Sequence, residues 1–122
     1  MALPPLRPNE RFFDRFSVPH AAAGAVMQLS GFSAPIALGA QVGFELVEND
    51  LKLAFSPMFP DDSPDGWQNH VGDVIAFMGG YYLAQATRND RIGRVGLVVL
   101  GAAAAAIWFD NLTRRPRPAS LY

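Results

Sequence analysis

The sequence predicts an all-α protein, a small polytopic membrane helical bundle of about four helices. The first reason is the distribution of charge, because no Asp, Glu, Lys or Arg occurs in residues 16–44, 74–87 or 95–109. The second is periodicity: a surface helix of a soluble protein shows a regular polar stripe, and the stretch VGLVVLGAAAAAIWF has none. The third is composition, since 17% charged residues is below the ~25% of soluble domains.

A soluble four-helix bundle is the alternative interpretation. Membrane spans usually need about 20 apolar residues, and the uncharged stretches could also form buried central helices. The first ten residues, MALPPLRPNE, are rich in proline and precede the apolar stretch, so no signal peptide is expected. The net charge of −1 disfavours nucleic acid as a partner. The lack of cysteine excludes disulfides and thiolate zinc sites.

Proline and glycine residues predict the helix boundaries. Pro19 suits the first turn of a helix, and the sequence GFSAP at residues 31–35 interrupts the first uncharged stretch, so the first two helices are expected to form a hairpin. The predicted helices cover about 17–31, 35–55, 66–87 and 93–112, with an Asp- and Pro-rich loop at 56–64. The expected organisation is an extended N-terminal arm (1–16), a single helical membrane domain (17–112) and a basic C-terminal tail (113–122).

Small residues recur at helical spacing in the second and third helices. They are Gly39 and Gly43 in the second helix, and Gly72, Ala76 and Gly80 in the third. In membranes such residues allow helix backbones to approach closely. We therefore expect them to mark the packing faces of the bundle.

Polar residues within these helices are the candidates for function. If the hairpin turns near residues 32–33, His20 and Glu45 lie at the same depth, roughly 18 Å from the turn at ~1.5 Å per residue. Glu45 lies three residues before Glu48 and four before Asn49, so all three share one side of the second helix.

The third helix begins at the same end of the bundle. Asp65, Asn69 and Asp73 are spaced four residues apart and share one face of it. His70 lies off this face and is expected at the membrane interface. The sequence thus predicts a polar cluster, whose members are the candidate catalytic residues His20, Glu45, Glu48, Asn69 and Asp73.

Three buried carboxylates need compensation, because each costs ~2.5–3.5 kcal/mol in the middle of a membrane helix. One possibility is a structural network of hydrogen bonds among the cluster residues. Another is a divalent metal ion, with Glu45, Glu48 and Asp73 as possible ligands or as acid/base groups and His20 as a proton carrier. The third is an accidental cluster at the helix ends.

The segments Glu45-Leu-Val-Glu48-Asn49 and Asp65-Gly-Trp-Gln-Asn69-His-Val-Gly-Asp73, with the upstream His20 and Gly24, resemble uncharacterised bacterial multi-pass membrane proteins distantly similar to the VanZ-like family. The resemblance covers about residues 18–86. Asp50 and His70 stand where the family usually has Ser, and the loop between the motifs is acidic instead of basic. The resemblance implies an integral membrane protein and supplies no established reaction.

Basic residues predict the orientation in the membrane. With four spans, seven of them share the side that holds both termini, against three on the other side: Arg7, Arg11, Arg15, Lys52, Arg114, Arg115 and Arg117 against Arg88, Arg91 and Arg94. This distribution predicts a multi-pass protein of the bacterial inner membrane with both termini in the cytoplasm.

Two functions are compatible with such a membrane protein. The first is a structural or accessory subunit, in contact with membrane lipid and part of a homo-oligomer or a larger membrane complex. The second is an enzyme, or a protein that handles a lipid head group or a polyprenyl phosphate, and that uses the polar cluster with a possible divalent metal. The motifs of nucleotide hydrolysis, dinucleotide binding, zincins and α/β-hydrolases do not occur in the sequence.

Overall fold

The computed structural model describes residues 11–54 and 66–113, which form four α-helices and no strand. The helices are α1 (Ser17–Leu29), α2 (Ala34–Ala54), α3 (Trp67–Thr87) and α4 (Arg91–Thr113). The all-α class and the number of helices are confirmed, and each boundary lies close to the expected one. The first ten residues of the predicted arm, the loop at 56–64 and the tail from residue 114 lie outside the described residues.

The turn between α1 and α2 forms at Gly31, which adopts a left-handed conformation with φ of 86°. The Gly31 N–H donates to the Gln28 carbonyl and the Phe32 N–H donates to the Met27 carbonyl, a Schellman arrangement that ends α1. Glycine suits this position because it alone adopts positive φ without steric cost. The Tyr81 hydroxyl on α3 donates to the Phe32 carbonyl at 2.7 Å and ties the turn to the bundle.

The most extensive contact joins α1 and α3, whose backbones touch. Gly24 of α1 faces the backbone of Phe77 and Tyr81, and Gly80 of α3 faces the backbone of Ala21, so a Cβ atom at either glycine would collide. Gly72 likewise faces the backbone of the segment before α1.

The predicted packing faces are therefore confirmed for α3 and wrong for α2. Gly39 and Gly43 face open space within the described part of the chain, where a Cβ atom would meet nothing within 4 Å. The physical reason is that α2 makes much less contact with α1 and α3 than these two helices make with each other.

Residues 11–16, which the sequence assigned to an extended arm, form turns that join the ends of three helices. Asp14 Oδ1 accepts a hydrogen bond from the Phe16 N–H at 2.8 Å, just before α1. Arg15 Nη1 lies 3.6 Å from Asp110 Oδ2, and Arg15 Nη2 donates to Asn111 Oδ1 at 3.5 Å. Both partners lie near the end of α4. The start of α1 and the end of α4 thus lie together, and we call this side of the bundle the polar end.

The bundle buries polar side chains and exposes large apolar ones. Among the residues that the structure describes, the buried apolar ones include two large side chains, Phe77 and Tyr81, beside four alanines. Its buried polar residues are Gln28, Gln41, Glu45, Glu48, Asn69, Asp73 and Asn111. Large apolar side chains such as Leu46 (78% exposed) and Ile92 (81% exposed) face outward. Soluble domains show the opposite tendency, because charged residues are rarely fully buried in them.

One helix in the described part of the chain, α4, is long and apolar enough to cross a membrane, and its apolar window is not buried against the other helices. A single such helix is weak support for a membrane span, since core helices of soluble proteins can have the same composition. The fold is therefore an all-α bundle of four helices, and its insertion in a membrane stays a prediction at this stage.

Candidate metal-binding site

Three helices bring His20, Glu45 and Asp73 together at the polar end. His20 lies near the start of α1, and its Nε2 atom lies 3.2 Å from Asp73 Oδ2 on α3. Its Nδ1 atom lies 3.9 Å from Glu45 Oε1 on α2. Asp73 and Glu45 are only 2% and 7% exposed. The meeting of these three side chains, expected from the hairpin, is observed, while their catalytic role stays a prediction.

Gln41 connects the imidazole of His20 to the carboxylate of Glu45 and was not predicted from the sequence as a member of the cluster. Its amide nitrogen donates to Glu45 Oε1 at 2.5 Å and lies 3.2 Å from His20 Nδ1. One amide nitrogen thus lies between the imidazole of His20 and the carboxylate of Glu45, while His20 Nε2 faces Asp73. The spacing of four residues between Gln41 and Glu45 places both on one helix face and was the available signal.

His70 belongs to the cluster, a contact that was not predicted from the sequence, while its place at the membrane interface stays a prediction. Its Nδ1 atom lies 2.5 Å from Glu45 Oε2 and 3.8 Å from Glu48 Oε2. The reason is that α2 packs on the side of α3 to which His70 projects. His70 and Asp73 are three residues apart on α3 and therefore share one side of the helix, a spacing that could have indicated this.

Asn69 is buried as expected but contacts a different part of the molecule. Its side-chain nitrogen donates to the Arg11 carbonyl at 3.0 Å and to Asp14 Oδ2 at 3.1 Å. Asn69 thus fastens the segment before α1 to the first turn of α3. The group at the polar end, which we call the His–carboxylate cluster, consists of His20, Glu45, Glu48, His70 and Asp73.

The cluster contains two sets of three side chains that could each hold a metal ion. One is His20, Glu45 and Asp73, and the other is Glu45, Glu48 and His70; the ligand atoms of each set lie within 4.8 Å of one another. The predicted ligands Glu45, Glu48 and Asp73 are thus divided between two sets, each completed by a histidine. Imidazole nitrogen and carboxylate oxygen together suit divalent transition metals such as Zn²⁺, Mn²⁺ and Fe²⁺.

Asp73 offers an additional coordination position. Its Oδ2 atom faces His20, while its Oδ1 atom is buried and has no hydrogen-bond partner among the described residues. A buried carboxylate oxygen without a partner costs free energy, because it has lost its hydration without replacement. A metal ion at this position would supply the missing interaction.

No family model, no curated protein and no solved structure matches the chain. The resemblance to the VanZ-like family therefore stays a prediction.

Proposed function

We propose that the chain is an integral membrane protein that binds a divalent metal ion through the His–carboxylate cluster. The membrane part of this proposal is supported by the distribution of side chains in the bundle, in which polar side chains are buried and large apolar side chains are exposed. Three carboxylates and four amide side chains are buried among the described residues, and large apolar side chains are exposed along α2 and α4. An apolar surface of this kind is stable in contact with lipid. In water it would expose a large apolar patch, which is rare in monomeric soluble proteins.

The length of α4 is compatible with this setting. The 23 residues of α4 extend over roughly 35 Å, enough for a hydrocarbon core of about 30 Å. The 13 residues of α1 reach only about 20 Å. In this setting the polar end lies just inside one surface of the hydrocarbon core. Ions from the aqueous phase have access to it there.

Charge is the argument for a metal ion. The cluster contains three buried carboxylates, and both histidines of the chain contact them. The three carboxylates outnumber the two imidazoles, so the histidines alone do not balance the carboxylate charges of the cluster. A divalent cation removes most of the negative charge and satisfies the buried Asp73 Oδ1, which is the observation that carries the proposal.

The structural or accessory role makes a different prediction for the same residues. In that case the hydrogen bonds among the cluster residues hold the helices together without any ion. Glu48→Gln, which retains the shape of the side chain and removes its charge, then lowers stability in a protein that carries no metal. In a metal-binding protein the same substitution lowers metal content first.

The metal is tested by elemental analysis of detergent-purified protein. We expect about one or more equivalents of a transition metal per chain, retained through gel filtration. Asp73→Asn keeps the shape of the side chain but removes a charged ligand, so this variant loses the metal. Asp110→Asn, which removes an exposed carboxylate at the end of α4 and outside the cluster, is the matched control and retains the metal. Wild-type protein that neither carries metal nor takes up Zn²⁺ or Mn²⁺ refutes the proposal.

The membrane setting is tested separately, in cells. Integral insertion predicts that the protein stays in the membrane fraction after extraction at high pH, and recovery in the soluble fraction contradicts it. Because the chain has no cysteine, single cysteines report topology. Four spans place Asn89→Cys, in the turn between α3 and α4, and Thr113→Cys, at the end of α4, on opposite sides of the membrane. Labelling of both from the same side overturns that topology, and the predicted cytoplasmic termini require Thr113→Cys to be protected in intact cells.

A further inference from the structure

We infer that the His–carboxylate cluster holds two divalent metal ions, bridged by the carboxylate of Glu45. This inference rests on the proposed function, because it requires that the cluster binds metal. It adds a specific architecture, a dinuclear centre, and assigns a role to His70 and Glu48 beside His20 and Asp73.

The two oxygens of Glu45 face different halves of the cluster. Oε1 lies on the side of His20, at 3.9 Å from its Nδ1 atom, and Oε2 contacts His70 Nδ1 at 2.5 Å. Glu45 is also the one residue common to both candidate ligand sets of the described chain. A carboxylate that presents one oxygen to each of two ligand sets is placed to bridge two ions, which in such centres lie about 3.5–4 Å apart.

The ligands come in pairs from two facing helices. Glu45 and Glu48 are three residues apart on α2, and His70 and Asp73 are three residues apart on α3. Pairs at this spacing project to the same side of a helix, and helical bundles that hold two metal ions also use carboxylate and histidine ligands three residues apart. His20 from α1 completes the first set, so each ion has three protein ligands.

The balance of charge also favours two ions. A metal-bound imidazole is neutral, so the three carboxylates of the cluster carry three negative charges, one more than a single divalent ion supplies in positive charge. Two divalent ions supply four positive charges and leave a net charge of one positive unit. One metal-bound hydroxide neutralises this charge, and hydroxide is available because a metal ion such as Zn²⁺ lowers the pKa of bound water to about 7. With three protein ligands each, both ions keep open positions for water or for an oxygen of a bound anion.

The experiment uses the full chain in detergent, stripped with a chelator and titrated with Mn²⁺. Equilibrium dialysis measures the number of ions bound, and electron paramagnetic resonance measures their coupling. We expect about two ions per chain and the spectrum of an exchange-coupled pair instead of isolated Mn²⁺. His70→Ala removes a ligand of the second set only, so we expect about one ion and the loss of the coupled spectrum. Asp110→Asn is the control and retains both ions and their coupling.

Each outcome distinguishes this inference from the proposed function. Wild-type protein that binds one uncoupled ion overturns the dinuclear centre and leaves the metal-binding function intact. Protein that binds none overturns both. Two ions that remain coupled in His70→Ala overturn the assigned ligands. If circular dichroism shows that His70→Ala is unfolded, Glu48→Gln replaces it, because this variant keeps its shape and removes a ligand from the same set. The stoichiometry of the wild type decides the main point in either case.

Discussion

Replacing Gly24 by alanine tests the contact that sets the distance between α1 and α3. A Cβ atom at this position would collide with the Phe77 carbonyl oxygen, and it would lie 2.7 Å from the carbonyl carbon and 3.0 Å from the Tyr81 nitrogen. Ordinary contacts between such atoms are about 3.5–4.0 Å. All three atoms belong to the backbone of α3, so no change of rotamer relieves the collision and α1 must shift by on the order of 1 Å.

Two opposing effects determine the size of the loss. Alanine has the higher helix propensity, which favours the variant by about 1 kcal/mol. Overpacking of a close contact costs about 1–3 kcal/mol, and more where only the backbone can yield. We expect a net loss of about 1–2 kcal/mol in the free energy of unfolding. A shift of α1 also lengthens the 3.2 Å contact of His20 Nε2 with Asp73 beyond hydrogen-bond range, so metal affinity falls as well.

The assay is denaturant unfolding in mild detergent, followed by far-ultraviolet circular dichroism. Gly43→Ala is the matched control: it is the same substitution in a neighbouring helix, where the new Cβ atom meets nothing within 4 Å. This control is expected to be as stable as the wild type or slightly more so, by up to about 1 kcal/mol. Equal unfolding of Gly24→Ala and wild type, or an equal loss in Gly43→Ala, would refute the close packing of α1 on α3.

Other substitutions test contacts elsewhere in the bundle by the same unfolding assay. Tyr81→Phe removes the hydrogen bond to the Phe32 carbonyl and is expected to cost about 0.5–1.5 kcal/mol; an unchanged midpoint would contradict the tie between α3 and the turn. Gln28→Met is expected to be neutral or stabilising by about 1 kcal/mol, because Gln28 is buried and its Oε1 atom has no hydrogen-bond partner in the described part, and a large loss would reveal a partner. Arg15→Met is expected to cost less than about 1 kcal/mol, since its ion pair with Asp110 is exposed, and the small loss should disappear in high salt.

The helices could be predicted from the sequence because their boundaries depend on local signals. The turn at Gly31 needs a residue that tolerates positive φ, and prolines lie in the first turns of α1 and α2, where a missing N–H costs little. The packing of α2 could not be predicted in this way. Gly39 and Gly43 have the same spacing as a close-packing motif, but which helix face meets a neighbour depends on the positions of the other helices.

The common level of His20 and Glu45 could be predicted from the sequence, because it depends only on their distance from the turn of the hairpin. His20 and Glu45 are equally far from the turn, and an antiparallel pair must bring them to one level. The places of Asn69 and His70 depend instead on the rotation of α3 about its axis. That rotation directs Asn69 to the segment before α1 and His70 to α2, and it follows from tertiary contacts that a periodicity argument does not contain.

The fold holds the His20–Asp73 pair of the cluster more firmly than it holds the ligands on α2, Glu45 and Glu48. Gly24 lies one turn after His20 and Phe77 lies one turn after Asp73, so the backbone contact of α1 with α3 directly adjoins the His20–Asp73 pair and fixes it. α2 has far less contact with these two helices, and Glu45 reaches both of them through polar bonds. An ion bound between the His20–Asp73 pair and Glu45 would therefore hold α2 against α1 and α3 as well as fill the site. Structural and metal-binding roles then depend on the same ligands, and they separate only when metal content and helix stability are measured on the same variants.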